Sequence, residues 1–216
     1  DCLLVIVGTD ECSYYTKSLT LSDRYGGING RCVSVVLDSH DVTFGSAESM
    51  HKAFKEIVAE YQPKCVMLVT TCVIEVIGDD YDAIAEELTK QYGIPVMTVH
   101  TEHFKCEDHF PGFERAITAC QSIMQPQKCD GSVNVLGQRF GDFADTELYA
   151  LLTKSGVKIG VQLPSGCTSD DIRYAPAAKV NIVVNDIALP LAQAMQEQYG
   201  IPYVYFNRFA ASEKIL

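Results

Sequence analysis

Apolar and polar positions alternate along this chain in two distinct rhythms. The runs Leu3 to Val7, Val33 to Leu37, Cys65 to Val69 and Val96 to Val99 are apolar at nearly every position and bounded by Gly, Pro and Asp. That is the pattern of strands buried on both faces of a parallel sheet. Ala47 to Tyr61 and Tyr81 to Tyr92 instead place apolar residues three and four apart with charges between them, which predicts helices that pack one face on the sheet. The alternation of strand and helix implies a doubly wound parallel sheet.

The pattern restarts after Pro126 to Asp130, with strands expected at Val133 to Leu136, Lys158 to Leu163, Val180 to Val184 and Tyr203 to Phe206. Gln91-Tyr92-Gly93-Ile94-Pro95 recurs as Gln198-Tyr199-Gly200-Ile201-Pro202, each time ending a helix and entering a strand. Gly after a helix and Pro before a strand are common terminators, so convergence accounts for two of these positions. Duplication accounts for all five. The expected architecture is therefore α/β, two duplicated doubly wound parallel-sheet (Rossmann-like) domains, residues 1–128 and 129–216.

Charge narrows the function. The formal net charge is −11 and the pI is near 4.8. No cluster of Lys and Arg offers a surface for nucleic acid, which needs such clusters to neutralise phosphates. No apolar run reaches the roughly 18 to 20 residues that span a bilayer, and no basic segment precedes an apolar one at the start, so the expected location is the cytoplasm with no membrane contact. The phosphate cradles G-x-G-x-x-G and G-x-x-x-x-G-K-[ST] do not occur, so nucleotide energy would have to come from a partner.

Nine cysteines are many for such a chain, but the number is odd, the spacings are wide, and no C-x-x-C pair occurs. Neither a disulfide framework nor a zinc ribbon follows from them, and any metal site must gather ligands from distant segments. Cys2, Cys32, Cys65 and Cys120 lie within or beside apolar strand or helix patterns and read as small buried hydrophobes. Cys12 and Cys72 differ. They sit among polar and turn-forming residues where strands end, and functional groups of parallel sheets collect at those carboxyl ends. His103, Cys106 and His109 share a donor-rich segment after the fourth strand and form a weaker candidate for zinc or iron, with solvated loop residues preferred. Cys167 follows a strand, but Thr168 or Ser169 beside it reads as the cap of a helix over Asp170 to Tyr174.

Three segments at strand ends, Gly8 to Tyr15, Asp41-Val42-Thr43-Phe44-Gly45-Ser46 and Thr70-Thr71-Cys72-Val73-Ile74-Glu75-Val76-Ile77-Gly78-Asp79-Asp80, together resemble nitrogenase component 1 subunits and their relatives in tetrapyrrole reduction and cofactor assembly. The second and third match the family strings D-V-x-F-G-G/S and T-T-C-x-x-E-x-I-G-D-D almost letter for letter. In the first, Thr9 and Glu11 stand where Pro and Gly are usual, while Cys12 falls at the family's cysteine. Read without the resemblance, Gly45 is a tight-turn glycine and Asp79 and Asp80 cap the following helix.

The resemblance continues through Gly141 to Ala144, Gly156-Val157 and the strand carrying Asn181, and so covers nearly the whole chain. It implies that Cys12 and Cys72 ligate an iron–sulfur cluster, 4Fe–4S or larger, at an interface with a homologous or identical second subunit. It further implies electron delivery by a separate ATP-dependent iron–sulfur reductase. A third cysteine upstream of the first strand and a third α/β domain after residue 216 belong to the family pattern. Cys2 sits too close to the first strand to be that cysteine. The absence of an initiator Met leads us to expect a piece of a longer protein. The cysteine that holds the molybdenum–iron cofactor in catalytic nitrogenase subunits is replaced here by Val184, beside Asn185 and Asp186, which favours a substrate other than dinitrogen. Three functional readings stand: an electron-transferring oxidoreductase subunit, a scaffold for metallocluster assembly, and a small-molecule-binding α/β module without a cluster.

Overall fold

In the computed structural model, which describes residues 1–20, 31–139 and 141–206, each of the eight apolar runs is a parallel strand. The chain divides into two compact units, Asp1–Arg115 and Ala116–Leu216. The first contains β1 (Cys2–Gly8), α1 (Asp10–Thr20), β2 (Cys32–Val36), α2 (Ser39–Phe44), α3 (Ala47–Tyr61), β3 (Cys65–Thr70), α4 (Cys72–Ile77), α5 (Tyr81–Tyr92) and β4 (Val96–His100). Its sheet has the order β2-β1-β3-β4. The two helices expected from periodicity, α3 and α5, begin and end at the expected residues.

The core follows from that periodicity. Met50, Phe54 and Ile57 of α3, and Tyr81, Ile84, Ala85 and Leu88 of α5, are buried in one cluster with Leu3, Val5, Val7, Val66 and Leu68 of the strands. Burial of each large apolar side chain is worth about 1.5 to 3 kcal/mol. Free choice of position is therefore lost: a one-residue shift of either helix turns charges inward.

The second unit begins within α6 (Phe110–Ala119) and continues through β5 (Val133–Gln138), α7 (Glu147–Lys154), β6 (Ile159–Pro164), α8 (Ser169–Tyr174), β7 (Val180–Val183), α9 (Leu189–Tyr199) and β8 (Tyr203–Tyr205). Its sheet has the order β6-β5-β7-β8, the same winding as the first. The repeated pentapeptides occupy equivalent junctions. Gly93 after α5 and Gly200 after α9 both adopt left-handed backbone, with φ of 68° and 71°, and each leads into the fourth strand of its sheet. A β-carbon is disfavoured in that conformation, which is why glycine closes both helices.

Segment 116–128, which the sequence pattern assigns to the first domain, goes with the second. The Gln125 amide donates to the Arg173 carbonyl at 3.0 Å, and the Tyr199 hydroxyl donates to the Met124 carbonyl at 3.2 Å. These long-range bonds have no local sequence signature, so the Pro126 to Asp130 stretch after them looked like the boundary. Among the described residues no helix is long and apolar enough to cross a membrane.

A polar knot holds the second sheet. Asn134 on β5 donates to Asn181 on β7 and to the Ala175 carbonyl, both at 2.9 Å, and accepts from the Val161 amide of β6 at 2.9 Å. Both asparagines are buried, and Gly160 must lack a β-carbon because one there would stand 2.7 Å from Asn134 Oδ1. Asn134→Ala strands a buried amide hydrogen and a buried carbonyl, so we expect it to lower unfolding free energy by about 2 kcal/mol or more, read as a shifted midpoint in urea.

Candidate metal centre

β1 and β3 are neighbours in register, with Val7 opposite Thr70. The Thr71 amide continues the ladder to the Val7 carbonyl at 3.0 Å, so the two strands end together and release their helices side by side. The contact is close enough to dictate a residue: a β-carbon on Gly8 would lie 1.8 Å from Thr71 Oγ1. Cys12 lies in the first turn of α1 and Cys72 is the first residue of α4. Their sulfurs are 3.6 Å apart.

The two cysteines were expected in loops and instead open helices. Asp10 and Glu11 in the first turn of α1 favour its start by matching the positive end of the helix dipole. At six residues α4 is too short for periodicity to reveal. Both thiols are partly exposed, on an open cleft of about 550 Å³ whose lining includes Glu11, Tyr15, Thr16 and Thr101. Burial, and then the adjacent Cys12 sulfur, push the Cys72 thiol above its ordinary pKa. Next to the pair in sequence, the buried hydroxyls Ser13 Oγ and Thr71 Oγ1 have no hydrogen-bond partner.

Residues of the two conserved-looking strings hold this edge in place. Glu75 of α4 accepts from the Glu102 amide, and the Thr101 hydroxyl lies 3.2 Å from its carboxylate and 2.9 Å from the Thr70 carbonyl. The helix that begins with Cys72 is thereby tied to the turn after β4. Asp79 and Asp80 were both expected to cap α5, and only Asp80 does. Asp80 alone accepts from Ala83, whereas Asp79 reaches back to Ser46, taking its amide at 2.8 Å and its hydroxyl at 2.5 Å. Ser46 in turn meets the Tyr81 hydroxyl at 2.8 Å, and burial pushes that phenol up to about 12. Gly45, with φ of 98°, is the turn glycine expected.

The weaker candidates are placed differently. Cys106 Sγ lies 3.4 Å from the Glu102 carbonyl and 3.6 Å from Arg115 Nη1, while Arg115 also pairs with Glu102 at 2.8 Å. His109 packs on the rings of Phe110 and Phe113. The side chain of His103 lies outside the described residues. Among the described residues the one group of three acidic, histidine or cysteine ligand atoms within 4.8 Å of one another is Asp38, His40 and Asp41, in which Asp38 and Asp41 form the capping box of α2. Thr168, as expected, caps α8. Cys65 and Cys120 are buried as expected.

Two thiols in contact on an open cleft form a donor set suited to a thiophilic metal group, and among the described residues no third ligand atom joins them. Sequence reasoning found both. It missed Gly8, Glu75 and Arg115 as supports; Gly8 and Glu75 lie inside the quoted motif segments, whereas Arg115 carried no signal.

Comparison with known proteins shows the family and the fold. The sequence profile of the family described as nitrogenase component 1 type oxidoreductase matches residues 1–214. The nitrogenase iron-molybdenum cofactor biosynthesis protein NifE of Clostridium pasteurianum is 32% identical over 220 residues, 99% of this chain and 48% of its own length. The nitrogenase molybdenum-iron protein alpha chain of Methanosarcina barkeri is 26% identical over 234 residues, 100% of this chain and 43% of its own. The solved structure titled nitrogenase Cp1 at pH 5 superimposes with a TM-score of 0.76 at 24% identity, over 95% of this chain and 44% of that one. The chain thus spans less than half the length of these relatives.

Glu75→Ala should release the turn after β4. We expect hydrogen exchange of the Glu102 amide to quicken by about 10-fold, equivalent to about 1.4 kcal/mol of local protection, with little change at amides of β5 to β8. Mass-resolved deuterium uptake measures both.

Proposed function

The chain belongs to the nitrogenase component 1 type oxidoreductases, and from that membership we propose that it is an electron-transferring subunit whose Cys12 and Cys72 supply thiolate ligands to an iron–sulfur cluster, 4Fe–4S or larger. The observation that carries the reading is the 3.6 Å approach of two sulfurs sixty positions apart in sequence. When bound, such a cluster stores and passes single electrons at a potential set by its ligands and their hydrogen bonds. The residues of this chain hold the ligands: the Gly8 to Thr71 contact brings the helix starts together, and Glu75 and Asp79 fix α4 from both sides.

A second subunit, homologous or identical, completes the ligand set in this proposal. The edge that carries the cysteines supports it, since Tyr14 and Tyr15 of α1, Phe44 of α2 and Val76 of α4 are all exposed, and large apolar groups crowded near one edge favour burial by a partner. Electrons would come from an ATP-dependent iron–sulfur reductase, consistent with the lack of a phosphate cradle in this sequence. Dinitrogen is not the required substrate. A location in the cytoplasm follows from the need for reduced thiols.

A scaffold for cofactor assembly is the second reading. It is supported by two NifE relatives at 30% and 32% identity, against 26% and 25% for two nitrogenase alpha chains, while a further NifE relative stands at 24%.

The complete protein, reconstituted with iron and sulfide without oxygen, should show broad iron–sulfur absorbance that disappears in Cys12→Ala and Cys72→Ala and persists in Cys65→Ala and Cys120→Ala. The last two remove one buried sulfur each, at about 1 kcal/mol. Circular dichroism of all four separates ligand loss from unfolding. Unchanged absorbance in the first two variants defeats the proposal.

A further inference from the structure

Thr71 stands directly before Cys72, at the N-cap of α4, where a threonine hydroxyl ordinarily accepts from an amide of the first turn. Here the side chain makes no such bond. The residue is 7% exposed, and among the described residues its Oγ1 has no hydrogen-bond partner. A buried hydroxyl left unpaired costs stability, so one that persists points to an acceptor from outside the chain. Ser13, Ser34 and Thr118 also carry buried, unpaired hydroxyls, but of the four only Thr71 lines the cleft of the cysteine pair.

Backbone packing, not a bond, fixes this hydroxyl in place. Oγ1 is the atom nearest to where a β-carbon on Gly8 would stand, so it fills the space that Gly8 leaves, between the end of β1 and the start of α4. Those two points lead to Cys12 and Cys72. The hydroxyl proton turns about its C–O bond and is free to meet an acceptor that enters the cleft.

We propose that the Thr71 hydroxyl donates a hydrogen bond to a sulfur of the group that Cys12 and Cys72 hold, and so sets the potential at which that group accepts an electron. The inference rests on the cluster reading and deepens it. Reduction adds one negative charge, shared by the sulfurs, and a donor to sulfur stabilises the reduced form more than the oxidised one. The hydroxyl therefore raises the potential. The electron comes from the reductase, the proton stays on Thr71, and no bond to iron is made or broken.

The test poises the complete, cluster-loaded protein with low-potential dyes in the absence of oxygen and reads the reduced fraction by absorbance and electron paramagnetic resonance. At the potential where the unaltered protein is half reduced, Thr71→Ala should lower the ratio of reduced to oxidised cluster by about 3- to 10-fold, the scale of one net hydrogen bond. Thr71→Ser, which keeps the hydroxyl, should restore most of that ratio. Ser34→Ala, which removes an equally unpaired hydroxyl in the middle of β2, should leave it unchanged. Electron–nuclear double resonance in deuterium oxide should lose a coupled deuteron in Thr71→Ala and regain it in Thr71→Ser. If Thr71→Ala holds no cluster, Thr71→Val, of nearly the same volume as threonine, carries the same measurement. A ratio indifferent to loss of the hydroxyl, or shifted as far by Thr71→Ser or Ser34→Ala as by Thr71→Ala, overturns the inference and leaves the cluster reading standing. An unaltered protein that takes up no iron–sulfur cluster overturns both.

Discussion

The approach of Gly8 to Thr71 is the constraint on which the rest of the cysteine edge depends. Parallel neighbours lie about 4.8 Å apart, so two strands that end in register deliver their following helices to adjacent points. The register of β1 on β3 supplies that condition, and the absence of a β-carbon at position 8 lets the cap residue of α4 sit directly against the end of β1. Any larger residue at 8 must push β3 or α4 away. The sulfurs of Cys12 and Cys72, each near the start of its helix, would separate with them. Their distance is thus set by backbone packing one to four residues away.

The two thiols can share a hydrogen bond only while one keeps its proton. Burial first, then that contact with Cys12 and the charge Cys12 would carry, make Cys72 harder to ionise. A cation between them reverses the sign of that interaction. The fold therefore presents two ligands held in an arrangement that is unfavourable when both are ionised and becomes favourable with a positive centre, and the clamps at Glu75 and Asp79 keep the pair from relaxing apart. Glu75 binds the turn after β4 and Asp79 binds the start of α3, so α4 is fixed at its middle and just beyond its end.

How far this was legible in the sequence depends on the range of the interaction. Strands buried on both faces are continuous apolar runs, and α3 and α5 carry a strong helical period, so local pattern placed them. The glycine ends of α5 and α9 were legible for the same reason, since one residue type satisfies a left-handed backbone at no steric cost. The short helices α2 and α4 were not, because six residues cover fewer than two turns and show no period. Asp79 was misread as a cap of α5. Its position permits that role locally, and only the fold brings Ser46, 33 residues earlier, within reach. The pairing of Cys12 with Cys72 was legible through the family strings, and Gly8 opens one of them, whereas its contact with Thr71 and the role of Arg115 appear only in the fold.

The second unit shows what the same winding does without cysteines at the ends of its two central strands. Val183 lies opposite Leu136 and the Val184 amide donates to the Leu136 carbonyl at 2.8 Å, as Thr71 donates to Val7, so the position two beyond the paired residue is Cys72 in the first sheet and Asn185 in the second. The close approach recurs there as well: a β-carbon on Gly137 would lie 2.9 Å from that of Asn185. Asn185, however, turns its side-chain oxygen to the Ile187 amide at 3.2 Å and caps the short turn that leads into α9. A neutral amide spent on its own backbone is a poor partner for a soft metal. Duplication of the fold thus produced two equivalent strand edges, and the position that holds a thiol at the first holds a backbone cap at the second.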